Sequence, residues 1–171
     1  MRRLILMRHA KSAWDDPLLG DFDRPLNARG REGAAAVGRW LAARGLVPGL
    51  ALVSAALRTR ETWAGLGAPA TAAPARFLPE LYHAGPEAML RALRGAGPAE
   101  TVLMLGHQPG IGATAERLLR EPADDPAYMR YPTAATAVIG FAVEDWAAVG
   151  WRSGRLEAFV TPKALAAGED D

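Results

Sequence analysis

Two histidines and two arginines in this 171-residue chain stand where short apolar runs stop. Arg8 and His9 follow LILM, Arg58 comes just after LALVS, and His107 follows TVLML and Gly106. If these runs are strands of one sheet, the four side chains gather at one edge, and a phosphoryl group gives them a reason to be there. A phosphate dianion needs fixed donors, and the planar guanidinium forks of Arg8 and Arg58 match its oxygens. A neutral imidazole is a competent nucleophile near pH 7, so His9 is placed to attack phosphorus in line. A protonated His107 would stabilise charge on the equatorial oxygens, helped by the N-terminus of the helix that Pro109 opens. Arginine and imidazole then supply the positive charge, so neither a metal nor another cofactor is expected. His9, His83 and His107 also lack metal-site spacing and carboxylate neighbours at ligand offsets.

The elements that must position these residues follow from local pattern. Residues 3–8, 50–54 and 101–105 read as buried strands, 76–79 as a short one, and 135–143 and 154–161 as two more. Asn27 is a good N-cap, and Gly33, Val37, Trp40 and Leu41 recur at helical spacing before Gly45. Further helices are expected at 58–66, 86–93 and from Pro109, the last with Ile111, Ala115, Leu118 and Leu119 on its apolar face. Residues 11–26 and 121–133 read as loops. Strands alternating with helices predict a three-layer α/β/α sandwich with a mostly parallel central sheet. Ligands of such sheets sit beyond the carboxyl ends of the strands, which is where the polar clusters fall. The expected organisation is a single domain over residues 1–162 with a flexible tail over 163–171.

Composition narrows the function classes. Half of the residues are hydrophobic and 23% are charged, as in ordinary globular proteins. The absence of cysteine excludes disulfides, thiolate metal sites and a cysteine nucleophile, and agrees with a cytoplasmic setting. A net charge of +1 gives no case for nucleic acid as a partner. The charge is uneven: residues 1–60 hold 11 Lys/Arg against 5 Asp/Glu, as an anion site in this third would require. No apolar run approaches a membrane span, and LILM is too short for a signal peptide.

Three segments together resemble the histidine phosphatase (phosphoglycerate mutase-like) superfamily. LILMRHAKS resembles its Arg-His-Gly signature, with Ala10 in place of glycine. VSAALRTRET is similar to Ser-x-x-x-Arg-x-x-x-Thr on Ser54, Arg58 and Thr62, and LGHQPG to Gly-His-Asn/Gln-Pro on Gly106, His107, Gln108 and Pro109. RPLNARGREG and GRLEAFVTPK extend the likeness to the short bacterial phosphohistidine phosphatases of SixA type.

The resemblance implies a phospho-His9 intermediate, a phosphate pocket of Arg8, Arg58, His107 and Gln108, and a leaving-group acid at Glu80 in FLPELY. Trp14 lies in the loop after His9, within reach of a substrate, and Asp15 falls where sugar-phosphate enzymes of the family commonly have an Asn that contacts phosphate. A carboxylate at Asp15 would repel a second phosphate and disfavours bisphosphates. Arg24 is expected to pair with Asp23 or reach the pocket. The chain is too short for large helical insertions over the site, and an open pocket suits a phosphohistidine on another protein. Small phosphate esters are the alternative substrate, and an inactive phospho-ligand-binding module the alternative of another class.

Overall fold

The runs LILM, LALV and TVLML are apolar at every position because both faces of the sheet that they build are covered. A computed structural model describes residues 1–168. Its strands β1 (Arg2–Arg8), β2 (Leu50–Ser54), β3 (Ala75–Leu78), β4 (Thr101–Gly106), β5 (Thr136–Phe141) and β6 (Arg155–Val160) form one sheet in the order β3-β2-β4-β1-β5-β6. The pairs β3-β2, β2-β4 and β4-β1 are parallel, and β5 runs against both its neighbours.

Alternate residues of each strand enter opposite cores. Leu4, Leu6, Leu52, Val102 and Met104 pack beneath α3 (Pro86–Arg94), α4 (Gly110–Leu118) and α5 (Pro126–Arg130). Ile5, Met7, Val53, Leu103 and Leu105 pack against α1 (Ala28–Ala43), α2 (Leu57–Leu66) and α6 (Pro162–Ala166). Burial of each such Leu or Ile side chain contributes roughly 2 kcal/mol. The fold is the expected α/β sandwich.

Register sets the site. Arg8 pairs with Gly106 across β1 and β4, while Val53 pairs with Leu105 across β2 and β4. Arg8, Gly106 and Ser54 therefore end three adjacent parallel strands at one level, and His9 and His107 each stand one residue beyond. Helix α1 begins where Asn27 Oδ1 accepts the Gly30 N–H at 2.8 Å. A Cβ on Gly30 would lie 2.0 Å from the Lys11 carbonyl oxygen, so only glycine lets α1 press against the segment after His9.

Two segments differ from expectation. The expected loop 121–133 contains the five-residue helix α5, started by Asp125 Oδ1 accepting the Ala127 N–H at 2.9 Å. The expected tail begins inside α6, where Thr161 Oγ1 accepts the Ala164 N–H at 3.1 Å. The last three tail positions, 169–171, lie outside the described residues.

Candidate active site

His9 is buried at 6% exposure, and its Nδ1 lies 2.7 Å from the Ala10 carbonyl oxygen. A carbonyl only accepts, so Nδ1 carries the proton and Nε2 keeps the lone pair. Burial, with the Arg8, Arg58 and Arg24 charges, pushes the imidazole down to about 4 against the Ala10 hydrogen bond. The ring is therefore neutral at pH 7, with its orientation fixed. Three backbone bonds hold the segment that carries it: His9 N–H to Gly106 O at 3.1 Å, Ala134 N–H to His9 O at 3.0 Å, and Asn27 N–H to Lys11 O at 3.0 Å. Thr62 adds a fourth tie, accepting the Ala10 N–H at 3.0 Å while its hydroxyl donates to Arg58 O.

The His107 ring lies 5.3 Å from that of His9. Its Nε2 is 2.7 Å from Ser54 Oγ, which also accepts the Ala56 N–H at 3.4 Å. A hydroxyl that accepts from Ala56 can still either donate to Nε2 or accept from it, and Nδ1 is a buried atom with no partner among the described residues. Burial first, then the His9 and Arg58 charges, push His107 down to about 3. Burial and these charges oppose the protonated His107 that the sequence leads one to expect.

Arg8 and Arg58 each present a buried Nε without a partner among the described residues, while one amino group of Arg8 and both of Arg58 are anchored. An Arg8 amino group donates to Tyr131 O at 3.2 Å. Arg58 donates to the Asp21 carbonyl at 2.6 Å and to its carboxylate at 3.0 Å. Arg8 Nε, Arg58 Nε and His107 Nδ1 thus lack partners among the described residues, on segments that start from the ends of three neighbouring strands.

Comparison with known proteins fits this geometry. The family model of the histidine phosphatase superfamily (branch 1) matches residues 4–85. An uncharacterised protein of Mycobacterium tuberculosis is 36% identical over 163 residues, covering 92% of this chain and 100% of the relative. A solved SixA protein of Nakamurella multipartitia superposes with a TM-score of 0.80 at 33% identity, over 94% of this chain and 96% of that one. The SixA protein of Agrobacterium tumefaciens gives 0.79 at 30% identity, over 94% and 98%. This chain belongs to the histidine phosphatase superfamily. By family it is a phosphatase.

Around the centre of this histidine phosphatase the other expected residues are placed unevenly. Gln108 caps α4: its side chain accepts the Gly112 N–H at 2.7 Å and donates to Arg130 O at 2.9 Å. The Gly112 and Ile111 N–H groups at the start of α4 are satisfied internally by Gln108 Oε1 and His107 O. Glu80 is exposed on the 3-10 turn Pro79–Leu81 and makes no hydrogen bond or ion pair among the described residues. Trp14 is 77% exposed with the Arg24 guanidinium 3.4 Å above its ring, and Asp15 is exposed beside it. Arg24 pairs with Asp21 at 3.1 Å rather than with Asp23, and also donates to Ser12 Oγ at 2.6 Å.

Asp21 is the residue of the histidine phosphatase site that sequence reasoning missed. Its carboxylate gathers Arg58 at 3.0 Å, Arg24 at 3.1 Å, the Tyr82 hydroxyl at 2.5 Å and His83 Nε2 at 3.4 Å. Burial acts to raise this carboxyl, but hydrogen bonds from Tyr82 and Arg58 and the Arg58 charge outweigh it, holding it well below the usual carboxylate range. The only signal was its place in the Asp-rich loop ahead of Arg24. His83 borders the pocket with positive φ (54°), stacked on Tyr82 at 4.0 Å and 5.9 Å from the His107 ring.

Proposed function

We propose that this histidine phosphatase removes phosphoryl groups from phosphohistidine on proteins through a phospho-His9 intermediate. The observation that carries the reading is the His9 Nδ1 to Ala10 O contact of 2.7 Å, which leaves Nε2 unprotonated, with the His107 ring 5.3 Å away and Arg8 and Arg58 each keeping a buried Nε without a partner among the described residues. In the first step the Nε2 lone pair attacks phosphorus, the substrate P–N bond breaks, and the departing imidazole takes the electron pair. A departing ring that is already protonated leaves neutral and needs no acid from the protein. In the second step water attacks the phosphorus of phospho-His9, the P–N bond to the enzyme breaks, and inorganic phosphate leaves. Arg8, Arg58 and His107 hold the phosphoryl oxygens through both steps, where fixed donors stabilise developing charge most effectively.

The protein substrate is supported by similarity to the two SixA proteins, both named as candidate phosphohistidine phosphatases. The free carboxyl of Glu80 on the rim supports a second reading, hydrolysis of small esters, for which it would protonate the departing oxygen. Rates on a phosphohistidine-bearing protein and on a panel of sugar phosphates and para-nitrophenyl phosphate decide between them, and turnover of small esters alone sinks the first. His9→Ala should lower kcat on every substrate, on the order of 10⁴-fold or more. It should also abolish an acid-labile phosphoenzyme trapped from labelled substrate. Equal rates for wild type and His9→Ala would remove His9 from the mechanism.

A further inference from the structure

A groove of about 1040 Å³ runs between α1 and α6, on the side of the His9 segment away from Arg58 and Asp21. Its floor is largely apolar, with Ala36, Trp40 and Leu165 among its residues. Its rim is cationic: Lys11, Arg29, Arg39 and Lys163 line it, opposed by one carboxylate, Glu32. All four cations are exposed, and none has a hydrogen bond or ion pair to a described residue. The groove shares a wall with the phosphoryl pocket. Ala10 and Lys11, directly after His9, line it, as does Ala134, whose N–H donates to His9 O.

We propose that this groove docks an acidic segment of the protein whose phosphoryl group is transferred to His9, an inference that rests on the phosphoprotein substrate proposed above. Four cations without a partner among the described residues, along an apolar trough, favour carboxylates flanking apolar side chains, and the field they set up steers such a segment into register. The volume is at the upper limit of small-molecule sites, and the cations are spread along the rim instead of converging on one point. A bilayer would need a protruding surface, whereas these cations edge a concavity.

The test uses the full chain with Arg39→Glu and Lys163→Glu combined, two exposed positions away from the phosphoryl pocket. KM for a phosphohistidine-bearing protein should rise about tenfold, with kcat unchanged and para-nitrophenyl phosphate hydrolysis unchanged. A labelled Glu-rich peptide should bind wild type in a salt-sensitive way and lose that binding in the variant. An unmoved KM for the phosphoprotein, or a peptide bound equally by both proteins or by neither, overturns the proposal. So does binding of phosphatidylglycerol vesicles without binding of the peptide. If wild type hydrolyses para-nitrophenyl phosphate but no phosphoprotein, the substrate reading fails, and the peptide titration alone decides whether the groove takes acidic segments.

Discussion

Ser54 Oγ and His107 Nε2 lie 2.7 Å apart at the ends of neighbouring strands, both buried. The hydroxyl holds the His107 ring through Nε2, while Nδ1 has no partner among the described residues. Ser54→Ala should lower kcat/KM for para-nitrophenyl phosphate about tenfold, the loss expected when a buried donor–acceptor pair is broken. Ser54→Thr should retain most of the activity. An alanine variant as fast as wild type would remove this bond from the machinery.

His9 and His107 make the protein sensitive to acid. Both are held below the unperturbed histidine value of 6.5, to about 4 and about 3, chiefly by burial. Between these values and 6.5 the unfolded chain binds more protons than the folded one, so stability is full above pH 6.5 and is lost as pH falls towards 4. For His9 the linkage amounts to about 3 kcal/mol. Melting temperature should fall through this window, and more shallowly in His9→Asn. Activity has the same sign: the acid limb of kcat/KM for the free enzyme, corrected for substrate ionisation, should lie near pH 4. A limb at 6.5 would contradict a buried, neutral nucleophile.

Gly30 is the position where helix packing and chemistry meet. An added Cβ would stand 2.0 Å from the Lys11 carbonyl oxygen, so Gly30→Ala must move either α1 or the segment after His9. Overpacking of this kind costs about 1–3 kcal/mol, and urea unfolding should show it. The fall in kcat should exceed the stability loss in importance, because the displaced backbone orients the imidazole. A destabilised variant with unchanged kcat would show that the His9 segment is held independently of α1.

Oxyanions that mimic a pentacovalent phosphorus should bind where Arg8, Arg58 and His107 leave donors open. Vanadate and tungstate are expected to inhibit competitively, and Arg58→Ala to weaken that inhibition at least about tenfold. Among the described residues no group of three or more His, Cys, Asp or Glu is arranged to hold a metal ion. Prolonged EDTA treatment should accordingly leave para-nitrophenyl phosphate hydrolysis intact.

The strands β1, β2 and β4 were legible because each holds an unbroken apolar run with a polar stop: Leu50–Ser54 is both the expected and the observed β2. The α5 helix was not, since five residues between Pro126 and Arg130 are too few to show a period. Arg8, His9, Arg58 and His107 could be read as a set because parallel strands bring their carboxyl ends together. Asp21 could not be told from Asp15, Asp16 and Asp23, because only the 3-10 turn Asp21–Asp23 turns it towards Arg58. The downward pull on the His107 pKa was likewise hidden, since it comes first from burial and not from residue type.

Tyr131 links the pocket to the interior. Its carbonyl holds Arg8, its hydroxyl reaches Leu6 O at 2.6 Å, and its buried ring meets Tyr128 and Phe159. The arginine proposed to hold phosphate is therefore anchored on an aromatic cluster. Such a pocket has little slack to lend. Sequence drift among these aromatic residues would be felt as a change in how tightly phosphate is held, so part of the constraint on this core is enzymatic in origin.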